Sequence, residues 1–239
     1  MKSNTKPAAW LIAAAVALSG VTFVQAAAPA GQQSTTVKTV KLAKALTEKD
    51  LDDATWDKVP AREISLTTAF PGHESITGTS VVGNVAVQAA KTASGVLVRL
   101  RWKDAAANTT KEPGKFADGV AVQFALDRKT TTVPFMGGGG KMVNVWYWNA
   151  ANNAAENMVA DGFGTLTLLP TQDVRASGRH ANGEWTVVFF RPYGAAEDTA
   201  IKLSAKGGRY PGAFAVWEGS NQERDGFKAV TMVWQNLAL

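Results

Sequence analysis

From Ser80 to the C-terminus, apolar residues recur mostly with a period of two, broken at intervals by short polar or glycine-containing stretches. Val96, Val98, Leu100 and Trp102 share one side of a run whose other side carries Leu97, Arg99 and Arg101, the alternation of a pleated strand. With Val81 to Gln88 before it and the Lys91 to Gly95 turn between, this segment predicts a hairpin. Val120, Val122, Phe124 and Leu126 predict the next strand. Met142 to Trp148 predicts another, with Val143, Val145 and Tyr147 on one face and Met142, Trp146 and Trp148 on the other. Large side chains on both faces imply either a strand covered on both sides or one with the core on one side and a ligand or partner on the other. Further strands are predicted over Phe163 to Leu169, Asp173 to His180, Glu184 to Arg191, Phe214 to Trp217 and Phe227 to Trp234, with a brief one at Ile201 and Leu203. Ala150 to Ala160 has few apolar anchors and reads as a loop or short helix.

The count is about nine or ten strands, without βαβ alternation or an internal repeat, which predicts an all-β, antiparallel β-sandwich with short helices in its connections. The sandwich is expected over residues 80–239. Residues 27–79 read as an N-terminal arm and lead-in: Ala27 to Thr39 is small and polar, and Val40 to Trp56 has only Leu42, Leu46 and Leu51 as a weak helical stripe. Before it, Lys2 and Lys6 precede an apolar run from Pro7 to Val24, and Val24-Gln25-Ala26 suits a signal peptidase cut after Ala26. Residues 1–26 are therefore expected to be a signal peptide. No second run of spanning length follows it, so the product is expected in the periplasm with no membrane span.

Composition narrows the chemistry. The chain has no cysteine, which excludes disulfides, thiolate metal sites, covalent haem attachment through CxxCH and a cysteine nucleophile. The formal charge of +5 falls to +3 without Lys2 and Lys6, and no basic cluster with interleaved aromatics marks a nucleic-acid surface. Only two histidines are present, His73 and His180, both in loop-like contexts, so a three-histidine zinc centre is excluded. No serine sits in a nucleophile elbow, and Gly137 to Gly140 followed by Lys141-Met142 is not a P-loop. Asp118, Glu218, Glu223 and Asp225 read as solvated acids in turns. Nothing here marks an independent catalyst.

Two features stand out. Four consecutive glycines, Gly137 to Gly140, follow Met136, and such a run gives up side-chain packing for close approach or unusual dihedrals. A flexible hairpin loop is the plainer reading. Lys228 falls in phase with Val230, Met232 and Trp234, which places an amine on an otherwise apolar face, where burial lowers its pKa. Snorkelling of its head to water is the alternative. A neutral amine donates a lone pair to a metal, and methionine sulfur is a soft ligand suited to haem iron. Met136 and Lys228 thus form a candidate axial pair for one non-covalent haem b, with Gly137 and Gly138 giving the macrocycle room and Trp146 packing beside it. Met142 is a rival sulfur.

Three stretches carry a family resemblance: PFMGGGGKMVNVWYW, GEWTVVFFR and FAVWEGSNQERDGFKAVTMVW. In order and spacing they resemble the haem b-binding gamma subunit of the type II dimethyl sulfoxide reductase family, which includes the chlorate, selenate, dimethyl sulfide and ethylbenzene enzymes. The resemblance runs from about Ser80 to the C-terminus. It implies a β-sandwich holding one haem b between Met136 and Lys228, in a heterotrimer with a molybdopterin catalytic subunit and an iron–sulfur subunit. It also implies electron exchange with a soluble cytochrome c or similar carrier, in chlorate or selenate reduction by overall likeness. The competing expectation is an exported carbohydrate-binding module, which the surplus of tryptophan favours.

Overall fold

The computed structural model describes residues 32–74, 76–129 and 134–239; the expected signal peptide lies outside them. Fourteen strands build the fold: β1 Thr36–Lys41, β2 Arg62–Ser65, β3 Thr67–Thr68, β4 Asn84–Lys91, β5 Gly95–Lys103, β6 Gly119–Ala125, β7 Val143–Asn149, β8 Ala154–Ala160, β9 Thr167–Leu168, β10 Arg175–Ala181, β11 Glu184–Pro192, β12 Arg209–Trp217, β13 Ala229–Val230 and β14 Gln235–Ala238. Two 3-10 turns, Ala54–Lys58 and Gly219–Asn221, are the only helical pieces among the described residues. No helix among the described residues is long and apolar enough to cross a membrane.

The strands form two facing layers. One runs β10-β11-β5-β4, and the other runs β14-β12-β6-β7-β8-β9. All pairings within these rows are antiparallel. β1 joins the layers, and its pairings are parallel: Thr36 to Lys38 run beside β14, and Thr39 to Lys41 beside β4. The sandwich is therefore mixed at this seam. β2 lies along the same edge of β4, and β13 fills the edge of β12 beyond β14 and is paired in turn by β3.

Alternation along the strands decides what fills the space between layers. Val98, Leu100 and Trp102 of β5, Val122 and Phe124 of β6, Trp146 and Trp148 of β7, and Val187 and Phe189 of β11 all point inward. Trp102 and Trp185 stack at 6.1 Å, and Trp148 meets Trp185 edge-on at 5.1 Å. The outer side of the first layer is covered by Leu42, Leu46, Trp56 and Val59. On the second layer, Ala121, Val145, Met158, Ala213 and Trp234 form an apolar outer face instead.

Several elements depart from the sequence expectation. Thr36 to Thr39, expected to be arm, is strand; the TVKTVK pattern sinks only Val37 fully, so its apolar signal is faint. Ala154–Ala160 is a seven-residue strand paired along its whole length with β7 rather than a loop or helix, and Asn157 in its middle is buried by hydrogen bonding: its side chain accepts from Asn144 and donates to Asp173. Between Phe163 and Leu169 only Thr167–Leu168 pairs, and after Val230 the chain breaks before β14.

Candidate haem pocket

A cavity of about 730 Å³ opens on the outer face of the second layer. Its floor follows from residue size. Ala121 of β6 and Ala213 and Ala215 of β12 face outward between Val145, Tyr147 and Met158, so three neighbouring positions offer a methyl group where a strand usually presents a larger side chain. The result is a broad, shallow apolar bed. Aromatic groups raise the walls: Phe70 stacks edge-on against Phe135 at 4.2 Å and Phe163 at 5.0 Å, and Tyr147 meets Trp217 at 5.3 Å.

Met136 and Lys228 both line this cavity. Met136 sits at φ 60, in the left-handed region that side chains seldom adopt. Its backbone is held from both sides, with its N–H donating to Gln123 Oε1 at 3.2 Å and its carbonyl accepting from Gly162 at 2.7 Å. Such anchored strain is common at functional positions. Gly137 and Gly138 do not line the cavity. The run turns the chain back on itself, with φ +75, +144, +62 and +79 along Gly137 to Gly140, and a Cβ on Gly137 would come within 2.6 Å of Lys141 O and 3.0 Å of Ala160 O. Close approach is indeed what Gly137 supplies, but to backbone, which thereby aims Met136.

Lys228 is 8% exposed. It follows the turn in which Phe227 N–H donates to Arg224 O, and its own carbonyl accepts from Ala69 beyond β3. The Nζ donates to Asp225 O at 3.0 Å and lies 4.9 Å from the Trp217 ring centre. No carboxylate of the described residues forms an ion pair with it. Burial pulls its pKa from 10.5 down to about 8, opposed only weakly by the charge of Asp225. The amine therefore gives up its proton more readily than an exposed lysine does.

The other candidates separate cleanly. Trp146 is not a cavity residue: it points into the core between the layers, against Phe124 and Phe189, with its indole N–H donating to Asn144. Period two explains the difference, since Val145 and Tyr147 take the cavity face of β7. Met142 is 39% exposed and outside the cavity, whereas Met158, which reads in sequence as plain core, lines it. Sequence reasoning also missed the alanine floor and Trp217. The trace of the floor in the sequence is faint: Gly119 and Ala121 alternate with the core residues Val120 and Val122, and Ala213 and Ala215 with Phe214 and Val216.

Fold and cavity together define a β-sandwich with an apolar bed, a soft sulfur and a buried amine in one cavity. The comparisons agree with that class. The ethylbenzene dehydrogenase family matches residues 53–170 and 167–229, and the chain belongs to it. It is 43% identical over 185 residues to the chlorate reductase subunit gamma of Ideonella dechloratans, covering 77% of each chain. It is 30% identical over 198 residues to the dimethylsulfide dehydrogenase subunit gamma of Rhodovulum sulfidophilum, covering 79% of this chain and 74% of that one. The resemblance to gamma subunits of the type II dimethyl sulfoxide reductase family therefore holds. Among solved structures, a carbohydrate binding module family 9 from Caldicellulosiruptor kristjanssonii in complex with glucose superposes with a TM-score of 0.53 at 10% identity, over 86% of this chain and 95% of that one. That likeness is one of fold.

The donor set fits a haem. Sulfur and neutral amine are both competent iron ligands, and the cavity is large, flat-floored and mainly apolar. Lys111, Lys115 and Arg224 line it from exposed positions alongside Glu112, Glu156 and Asp225, and Lys115 pairs with Glu112 at 2.9 Å.

Proposed function

We propose that this chain is the haem b electron-transfer subunit of a periplasmic molybdenum oxidoreductase, passing electrons between a cytochrome c-type carrier and an iron–sulfur subunit beside a molybdopterin catalytic subunit. The reading rests on one observation above others: Met136 and a buried, easily deprotonated Lys228 line the same apolar cavity. The haem supplies one-electron chemistry when bound. The chain's residues supply the rest. Met136 sulfur and Lys228 Nζ would hold its iron, the alanine floor would admit the flat group, Trp217 and Tyr147 would keep water from it, and Lys111 and Arg224 would offer partners to carboxylates at the mouth. Chlorate or selenate reduction is the favoured setting, in keeping with the 43% identity to a chlorate reductase subunit gamma.

Titrating the purified haem-free protein with hemin tests this reading. A Soret band with a low-spin spectrum is expected, altered or lost in Met136→Ala and Lys228→Ala and retained in Met142→Ala. If Met158→Ala changes the spectrum and Met136→Ala does not, the sulfur ligand is Met158. Failure of the wild-type protein to take up haem overturns the proposal, and glycan binding in its place would favour the carbohydrate-binding alternative. Copurification from the source cells tests the partners, since the molybdopterin and iron–sulfur subunits should come with the chain.

A further inference from the structure

Away from the cavity, three carboxylates that sequence places in a loop and two turns are gathered and buried. Asp104 follows β5, Asp118 precedes β6 and Glu218 follows β12, and they are 6%, 0% and 8% exposed. Each presents an oxygen, and the three oxygens lie within 4.8 Å of one another. Among the described residues none of the three is in an ion pair. Asp118 accepts from Gly219 N at 2.8 Å, Asn108 N at 2.7 Å and Trp185 Nε1 at 2.9 Å, and Glu218 accepts from Ser220 N and Asn221 N at 3.0 and 2.7 Å. Asp104 Oδ1 accepts from Ala106 N at 3.1 Å. Its Oδ2 is buried with no hydrogen-bond partner at all.

Neutral N–H donors orient these groups but do not cancel their charge, and an unpaired buried carboxylate oxygen is among the most costly arrangements a fold can keep. We propose that Asp104, Asp118 and Glu218 form a calcium site. Oxygens bound to one Ca2+ at about 2.3–2.6 Å can be no more than about 5 Å apart, which the cluster satisfies as it stands. An all-oxygen set excludes soft metals, and a buried site with little room for a retained water shell favours Ca2+ over Mg2+. The ion takes up the free Oδ2 and ties the Asp104 segment to the end of the β6–β12 ladder, where Gly119 pairs with Trp217 between Asp118 and Glu218. Residues 105–117 run between Asp104 and Asp118 and supply a wall of the cavity, so the cation fixes that wall at both ends.

The test uses the purified full chain, dialysed against EDTA. At a calcium concentration about a hundredfold over Kd, the midpoint of thermal unfolding should rise by roughly 5–10 °C. Tb3+ should show luminescence sensitised through Trp185, which donates to Asp118, and Ca2+ should quench it by competition. Cleavage within residues 105–117 by a protease should slow when Ca2+ is added. Asp104→Asn keeps the acceptor for Ala106 and puts an amide where the free oxygen stood, so it should fold yet lose the calcium response and the terbium signal. No calcium-dependent shift in the wild-type protein overturns the proposal. A shift that persists in Asp104→Asn overturns the assignment of these ligands, and equal stabilisation by Mg2+ overturns the choice of calcium.

Discussion

Lys228→Met, studied in the haem-free protein, isolates what the buried amine contributes. The fall in pKa from 10.5 to about 8, at about 1.4 kcal/mol for each pH unit, means that holding the ammonium form in the fold costs about 3 kcal/mol at pH 7. The variant also loses the hydrogen bond to Asp225 O and the contact with the Trp217 ring, together about 1–2 kcal/mol. Methionine fills nearly the same volume, so haem-free Lys228→Met should be more stable than wild type by about 1–2 kcal/mol at pH 7. The sign with pH follows from proton counting. A lysine whose folded pKa is depressed binds fewer protons folded than unfolded between pH 8 and 10.5, so wild-type stability rises with pH through that window. The penalty is complete below pH 8 and gone above 10.5, and the advantage of the variant should shrink and reverse over the same range. Urea unfolding followed by tryptophan fluorescence from pH 7 to 10.5 reads both effects. Parallel stability curves for the two proteins would refute the reasoning, because an amine that keeps an ordinary pKa is not desolvated. Haem affinity should fall in the variant that gains stability.

Gly137→Ala forces a Cβ into backbone at 2.6 Å from a residue with φ +75, so it should lower stability by about 1–3 kcal/mol and weaken haem uptake together; equal stability in urea would show that the loop relaxes. Ala121→Leu fills the cavity floor without touching the inner core, and should leave the circular dichroism spectrum intact while abolishing the Soret response to hemin. Arg191→Met removes a guanidinium that is fully buried, paired with Asp173 at 3.1 Å through two nitrogens and bonded to Ile201 O at 2.6 Å. Leaving those partners unmatched should cost about 3–5 kcal/mol by denaturant unfolding, and a loss under about 1 kcal/mol would contradict the pairing.

How much was legible depended on how loudly each position speaks. β5, β7 and β11 announce themselves because branched and aromatic groups alternate cleanly, and Lys228 is legible for the same reason: a charge in an apolar phase is conspicuous. Its phase survives although only Ala229 and Val230 are strand, since Lys228 and Val230 both line the cavity. Alanine carries no such signal, so the floor was silent. The buried Asn157 made β8 look polar, and its bond to Asn144 of β7 explains how that strand carries a polar group in its middle. Trp146 misled because aromatic content suggests a haem wall, while period two assigns it to the core. Asp118 and Glu218 misled in the opposite direction, as acids in turns are ordinarily solvated.

The seam at β1 has a consequence for how the chain reaches this form. Thr36 lies beside Asn236 and its hydroxyl donates to the Asn236 side-chain oxygen at 3.0 Å, across a sequence separation of 200 residues. Neither layer can finish its edge there until both strands are present, so a chain still emerging from synthesis cannot close the sandwich, whatever its middle has already paired. Closure of so long a loop is slow and comes late. Folding of this protein is therefore timed by the arrival of β14, and a chain cut before β14 should linger as an open pair of sheets with the floor of its cavity already laid and its seam undone.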